Sequence, residues 1–467
     1  MQHAMDAPRR RWCVSCCPSI LHKMVPLPRL VACRRTAWRS KLLGYCCERW
    51  IGHFPNPRAE RGLSHVMPAH IAFVANRLPW PLDDGWKRRT FAIAQATALL
   101  GDLTIVVPRG TWSDTIEFEN AFGADCRIVF SDGPNPLSVG EALTNAARFN
   151  LSPLACRHLD PSLVEALVSV AHHRRLDAVV YAGAFLAERH QQVPALRDVP
   201  FCIDTHNLDS LALGRRAKLK GGLMQAPLRL SARLQQRAER RVFGQAAKTV
   251  VCSATEVPLA KDISPNANVG VVANGVDLSE FVAAPLPERT DICRLLFFGN
   301  LEYPPNVDAV QMLVDDLMPR IRSRGLPGHC RIVGAGRPSA IAAMVAGLDD
   351  VSLVGQVPKI VDEIHAADII VVPLRAGGGT RLKIVEALAC ARPIVTTRIG
   401  AEGLALDDGE TALLRDDADT FVDAVEALWN DEKLAGKIAE NASRFATSRY
   451  AWQGLQKEFA RQVGEVL

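Results

Sequence analysis

Asp368-Ile-Ile-Val-Val-Pro-Leu-Arg-Ala-Gly-Gly-Gly-Thr-Arg-Leu-Lys-Ile-Val-Glu-Ala-Leu-Ala389 begins as an apolar strand and ends as an amphipathic helix, with glycines at the turn between them. A β-branched run that passes into helical periodicity is the opening of a βαβ unit, whose strand is covered on both faces. The turn is suited to an anion. Gly377, Gly378 and Gly379 let backbone N–H groups close on a phosphate, and the helix N-terminus adds its positive dipole end. Arg381 and Lys383 place more positive charge in the first turn, which the dipole disfavours unless an anion sits there. Glu386 follows one turn after Lys383, where a carboxylate accepts hydrogen bonds from ribose hydroxyls of a bound nucleotide.

The same alternation runs outward in both directions. Downstream lies a strand at 393–396 and a helix-rich tail over 416–467; upstream lie strands at about 294–298, 330–333 and 351–353. The stretch Phe281 to Asp291, with Pro285 and Pro287, reads as a linker. Before it, a separate series predicts strands at 71–76, 103–107, 127–130, 177–182, 200–204 and 248–252, with helices at about 87–100, 161–174 and 225–244. The expected fold class is therefore α/β, with two Rossmann-like doubly wound domains facing across a cleft and C-terminal helices closing the chain. The expected divisions are 67–281 for the first domain, 282–293 for the linker, 294–449 for the second domain and 450–467 for a last helix returning to the first. Ligands of such domains bind at the carboxyl ends of the strands. Leu78-Pro-Trp-Pro-Leu-Asp-Asp-Gly85 and Asp204-Thr-His-Asn-Leu-Asp209 follow strands of the first domain and qualify on position.

The chain has 467 residues, 48% of them hydrophobic, enough for sizeable cores. No apolar stretch reaches the roughly 18 residues of a membrane span. Residues 1–66 hold 12 Lys/Arg against 3 Asp/Glu, whereas the whole chain nets only +5, so the remainder is mildly acidic. That balance, without a basic face interleaved with aromatics, argues against nucleic acid as a partner. Six of the 13 cysteines (Cys13, Cys16, Cys17, Cys33, Cys46, Cys47) lie in the first 50 residues, without the paired spacing of a structural zinc site. The others are scattered in apolar runs, as in a reducing cytoplasm. Residues 1–66 show no sustained period and no apolar core of a secretory signal; they are expected to be disordered or not native, with Met67 the expected start.

Several segments, in order, resemble glycosyltransferase family 4, retaining enzymes of the GT-B fold that use nucleotide-activated sugars without a metal ion. Besides Gly377 to Ala389 these are Glu239 with Val250-Val-Cys-Ser253, Asn274-Gly-Val-Asp277 with Phe281, Phe297-Phe-Gly-Asn300, Val333-Gly-Ala-Gly336, Val354-Gly355, Ala367 to Pro373, Pro393-Ile-Val395 and Glu402-Gly403. The resemblance covers roughly 70–460. It implies that Arg381 and Lys383 stabilise the leaving diphosphate and that His206 lies near the transferred sugar. Gly299, Asn300, Gly377, Gly378, Gly379, Thr380 and Glu386 would hold the donor, and Gly85 and Asp204 would belong to a loop touching acceptor or phosphates. No metal and no cofactor are expected, since the nucleotide sugar is a substrate. The acceptor would be a glycan or a lipid-linked molecule used in polysaccharide or cell-surface glycan synthesis, at the cytoplasmic face of the membrane. Lys87-Arg-Arg89 and Arg215-Arg-Ala-Lys-Leu-Lys220 are either solvated helix faces or patches drawn to such a surface.

Two positions depart from the family pattern. Gly378 stands where the first of two glutamates eight positions apart is usual, which leaves the donor sugar open. Ala391 replaces the usual glycine after the helix, where a left-handed cap costs about 1 kcal/mol more with a side chain. Other functions compatible with this fold are a sugar-nucleotide epimerase, a phosphorylase and a non-catalytic nucleotide-sugar binder. A dinucleotide oxidoreductase is disfavoured because Arg77-Leu-Pro-Trp-Pro follows the first strand in place of a G-x-G-x-x-G turn.

Overall fold

The computed structural model describes residues 68–467 except 111, 124–125, 134–137, 139, 142–143, 145–147, 220–224, 337–338 and 377–380, and it omits the side chains of Trp112, Ser113, Arg216, Lys218 and Leu219. The basic, cysteine-rich segment and the glycine turn Gly377, Gly378, Gly379 and Thr380 thus lie outside the described residues.

The first sheet contains β1 (His70–Val74), β2 (Asp102–Pro108), β3 (Cys126–Ser131), β4 (Ala178–Ala182), β5 (Phe201–Asp204), β6 (Lys248–Val251) and β7 (Val269–Val271). All pairings are parallel and the order is β3-β2-β1-β4-β5-β6-β7. Every residue of β1 is buried, and the period of two divides them between two cores. Ile71 and Phe73 pack with Val180 and Cys202 on one face, while Ala72 and Val74 pack with Val179 and Ile203 on the other.

The second sheet repeats the plan with β8 (Cys293–Phe298), β9 (Gly328–Val333), β10 (Val351–Gly355), β11 (Ile369–Val372), β12 (Ile394–Thr396) and β13 (Leu413–Leu414). It is also all parallel, in the order β10-β9-β8-β11-β12-β13. In each sheet the order reverses beside the first strand, between β1 and β4 and between β8 and β11. A crevice opens there because successive connections leave toward opposite sides.

Two chain segments join the domains side by side. Val276 N–H donates to Tyr450 O at 2.7 Å, and Trp452 N–H returns to Val276 O at 3.2 Å. Gly275 leaves no room for a side chain, since a Cβ there would lie 2.6 Å from the Trp452 ring. The crossing comes earlier than the expected boundary at 281, because Val276 and Phe281 are already buried in the second domain's core. Beyond it, the last helix Trp452–Gly464 lies against the first domain, with Phe459 and Val463 in the core around Ile71 and Phe73.

Arg392 fixes the linker. Its buried guanidinium donates to the carbonyls of Ala284 (2.9 Å) and Pro285 (3.0 Å) and to those of Ile364, His365, Cys390 and Ala391. Four of these lie at or just past the ends of helices Ile360–Ala366 and Leu382–Ala389, so helix dipoles receive the charge, with Asp368 acting on it as well.

Candidate functional site

Helix Leu382–Ala389 buries Ile384, Val385, Ala387 and Leu388 in the second domain's core, packing on helix Glu432–Tyr450 and β12, which leaves Lys383 and Glu386, three positions apart, together on the other face. That face meets the loop after β8, at the second sheet's crevice. Lys383 Nζ donates to Asn306 Oδ1 at 2.9 Å and lies 4.3 Å from the Phe297 ring centroid. Asn306 Nδ2 in turn donates to Asn300 O at 2.7 Å.

Gly299 makes this approach possible. Its φ is +148°, and a Cβ there would fall 2.8 Å from Lys383 Nζ and 3.0 Å from Asn306 Nδ2. Burial and Arg381 push the Lys383 amine down to about 7, with Glu386 pulling the other way. An anion between the two cations would restore its charge.

Arg381 stands at the N-cap of the same helix, mostly buried, with Nη2 3.5 Å from Ile399 O. Burial lowers its pKa, as does Arg215 from the first domain, while Tyr303 and Glu402 oppose that. Glu386 is raised by burial and held down chiefly by Arg88. Arg88 is itself fixed by Glu280, through Nη1–Oε2 at 2.6 Å and Nη2–Oε1 at 3.0 Å.

The first domain supplies the opposite wall. Asp84 caps helix Gly85–Ala98 by accepting from Lys87 N–H at 2.7 Å, which aims the helix start at the cleft. Gly85 there touches Leu382. Trp86 stacks on His206 with ring centroids 5.5 Å apart and planes at 27°, and Arg77 covers Trp86 at 4.4 Å. His206 Nε2 lies 3.2 Å from Thr90 Oγ1. Burial, then Arg89 and Arg77, hold this imidazole well below its usual pKa, so the ring is neutral.

Two expectations change here. Asp204 is wholly buried, not a loop group facing a ligand: Arg89 Nε donates to its Oδ2 at 3.0 Å and Arg89 Nη2 to its Oδ1. Lys87-Arg-Arg89 is not a surface patch, because Lys87 pairs with Asp83 at 2.7 Å, Arg88 with Glu280, and Arg89 is buried with Asp204. Helical periodicity turned three consecutive cations in different directions.

Gly299, Asn300, Arg381, Lys383 and Glu386 thus meet at one crevice, with Gly85 against it and His206 behind Trp86. Sequence reasoning missed Asn306, Trp86, Arg88 and Arg89. Asn306 carried a usable signal: an amide in the first turn after an apolar strand and a glycine turn stands at the same edge as that turn.

Residues 293–431 match the family model described as glycosyl transferases group 1. The match spans most of the second domain. A D-inositol 3-phosphate glycosyltransferase from an Arthrobacter species is 28% identical over 262 residues, 51% of this chain and 60% of that relative's length. Among solved structures, a sucrose-phosphate synthase from Thermosynechococcus elongatus aligns with a TM-score of 0.64 at 17% identity, over 85% of this chain and 99% of that one. The Anabaena protein HepE, solved with UDP and glucose, aligns with a TM-score of 0.60 at 12% identity, over 85% of this chain and all of its own. The two-domain architecture is the GT-B fold. Within the matched residues, the crevice between β8 and β11 is where Lys383, Arg381 and Glu386 converge.

Proposed function

We propose that the chain is a retaining, metal-independent glycosyltransferase of family 4, moving a hexosyl group from a nucleotide sugar to a glycan or lipid-linked acceptor at the cytoplasmic face of a membrane. The observation that carries this reading is Lys383, held by Asn306 over Gly299 beside Arg381, at the switch point of the domain that matches the group 1 glycosyl transferase model. Two cations converge there on a space suited to a diphosphate, and Glu386 on the same helix face suits a ribose diol.

Arg381 and Lys383 stabilise the charge that develops on the departing diphosphate oxygen, in place of a divalent ion. The bond from the anomeric carbon to that oxygen breaks as the acceptor hydroxyl attacks from the same face. The hydroxyl proton passes to the leaving phosphate. In this reading His206 contacts the sugar without adding charge, which its neutral ring stacked on Trp86 supports. The UDP complexes of HepE make UDP-sugars the first donors to try.

The test is a thermal-shift panel of UDP-, GDP- and ADP-sugars, followed by nucleoside-diphosphate release with and without acceptor in EDTA. A matching donor at a hundred times its Kd stabilises the protein by about 2.7 kcal/mol. Release in EDTA and a product with the donor's anomeric configuration are expected. A panel without any shift, or release that stops in EDTA, overturns the reading.

A further inference from the structure

Helix Gln225–Gln245 has all its buried residues in its second half, from Gln235 to Phe243. Its first ten residues bury none, and the helix packs chiefly alongside helix Asp209–Leu219. Since the helix ends just before β6 and its partner begins just after β5, the pair stands out at the carboxyl edge of the first sheet, where the cleft opens. Arg215 on the partner helix is near enough to Arg381 to act on its charge.

The outward side combines two properties. Leu230 is 58% exposed and Leu234 39%, one turn apart. Arg229, Arg233 and Arg237 form an adjacent row at the same spacing and make no hydrogen bond or ion pair among the described residues. The helix's single carboxylate, Glu239, is buried and bonded to Ser210, so nothing on the helix offsets the row. Exposed leucines are costly in water and a row of like charges repels itself, and both are accommodated where acyl chains meet anionic headgroups.

We infer that helix Gln225–Gln245 seats the protein on an anionic lipid surface, with Arg229, Arg233 and Arg237 on the headgroups and Leu230 and Leu234 inserted at the acyl boundary. This deepens the transfer reading by giving a lipid-linked acceptor a surface from which to enter the cleft. It is broader than the patch at Arg215 to Lys220 and rests on different residues.

The test is co-sedimentation of the full chain with phosphatidylcholine vesicles, with and without 30% phosphatidylglycerol as the probe, at roughly 0.1 and 0.5 M salt, whose Debye lengths differ about twofold. Binding is expected only to anionic vesicles and only at low salt. The variant Arg229→Gln/Arg233→Gln/Arg237→Gln should lose roughly a hundredfold in partition, given about fivefold for each basic residue at such a surface. Leu230→Ser/Leu234→Ser should lose several-fold. Both variants should keep wild-type melting temperature and nucleoside-diphosphate release.

Equal binding to neutral vesicles, unchanged partition of the arginine variant, or a dimer that dissociates on Leu230→Ser/Leu234→Ser would each overturn the inference. Vesicle binding without any donor turnover by the wild type would instead overturn the transferase reading and leave the lipid seat standing.

Discussion

Gly85 and Leu382 meet across the cleft: a Cβ on Gly85 would lie 2.7 Å from Leu382 Cδ1. The starts of helices Gly85–Ala98 and Leu382–Ala389 therefore touch, one from each domain. The contacted atom is the end of a flexible side chain, so Gly85→Ala should leave activity within about twofold. Gly85→Phe cannot be accommodated that way and should hold the cleft open, lowering release about tenfold or more, the scale of loss when reacting groups are misplaced by an ångström. Melting temperature measured alongside separates this from misfolding, since it should fall little. Wild-type kinetics in Gly85→Phe would show that the contact does not report on closure.

Arg89 and Asp204 form a buried ion pair beneath His206, and Arg89 also donates to Val272 O at 2.9 Å and Asn274 Oδ1 at 3.0 Å. Removing one partner strands a buried charge. Arg89→Met should cost about 3–5 kcal/mol in denaturant unfolding, whereas Arg89→Met/Asp204→Leu should recover part of that. The recovery stays partial because the carbonyl of Val272 and the amide of Asn274 still lose their donor. A double variant less stable than the single one would show that the pair is not the main term.

Ala391 has φ +54° and completes a helix cap in which its N–H reaches Leu388 O at 3.0 Å and Arg392 N–H reaches Ala387 O at 3.1 Å. The left-handed backbone costs a side chain about 1–2 kcal/mol, and glycine's greater unfolded-state freedom returns about half of it. Ala391→Gly should stabilise the protein by about 0.5–1 kcal/mol with unchanged kinetics, read from the urea midpoint at constant m. A destabilised variant would mean that the Ala391 methyl contributes packing that outweighs the strain.

The strands were legible because buried parallel strands are continuous apolar runs: 103–107 and 294–298 were expected where Asp102–Pro108 and Cys293–Phe298 lie. The short pieces were not. β13 has two residues, and helix Ile360–Ala366 buries only Ile364, too little pattern for periodicity to register. At the site, Lys383 and Glu386 were legible because both ride on one helix face. Arg88 and Arg89 were not, since adjacent cations look alike in sequence and only the packing of helix Gly85–Ala98 sends one to Glu280 and the other to Asp204.

Lys383, Arg381 and Glu386 should fail in different ways, and pH separates the first from the others. With its amine pushed down to about 7, Lys383 is largely neutral in the empty site at pH 8 and must take up a proton when a diphosphate arrives. UDP-glucose serves as ligand because its diphosphate does not titrate in this range. Calorimetry in two buffers of different ionisation enthalpy should show proton uptake at pH 8, little at pH 6, and none at either pH in Lys383→Met. The unfolded lysine titrates near 10.4, so between about 7 and 10 the unfolded chain binds more protons. Stability of the ligand-free protein should accordingly gain a rising contribution with pH in that window, absent from Lys383→Met. In kinetics, Lys383→Ala should lower the rate about 10²- to 10³-fold, because the lost partner stabilises charge that grows in the transition state. Arg381→Ala should act similarly but more mildly. Glu386→Gln should raise KM more than it lowers kcat, as expected for ribose contacts equal in ground and transition states. Unaltered proton uptake in Lys383→Met, or wild-type kinetics in all three variants, would place the diphosphate elsewhere and remove the basis for the donor site.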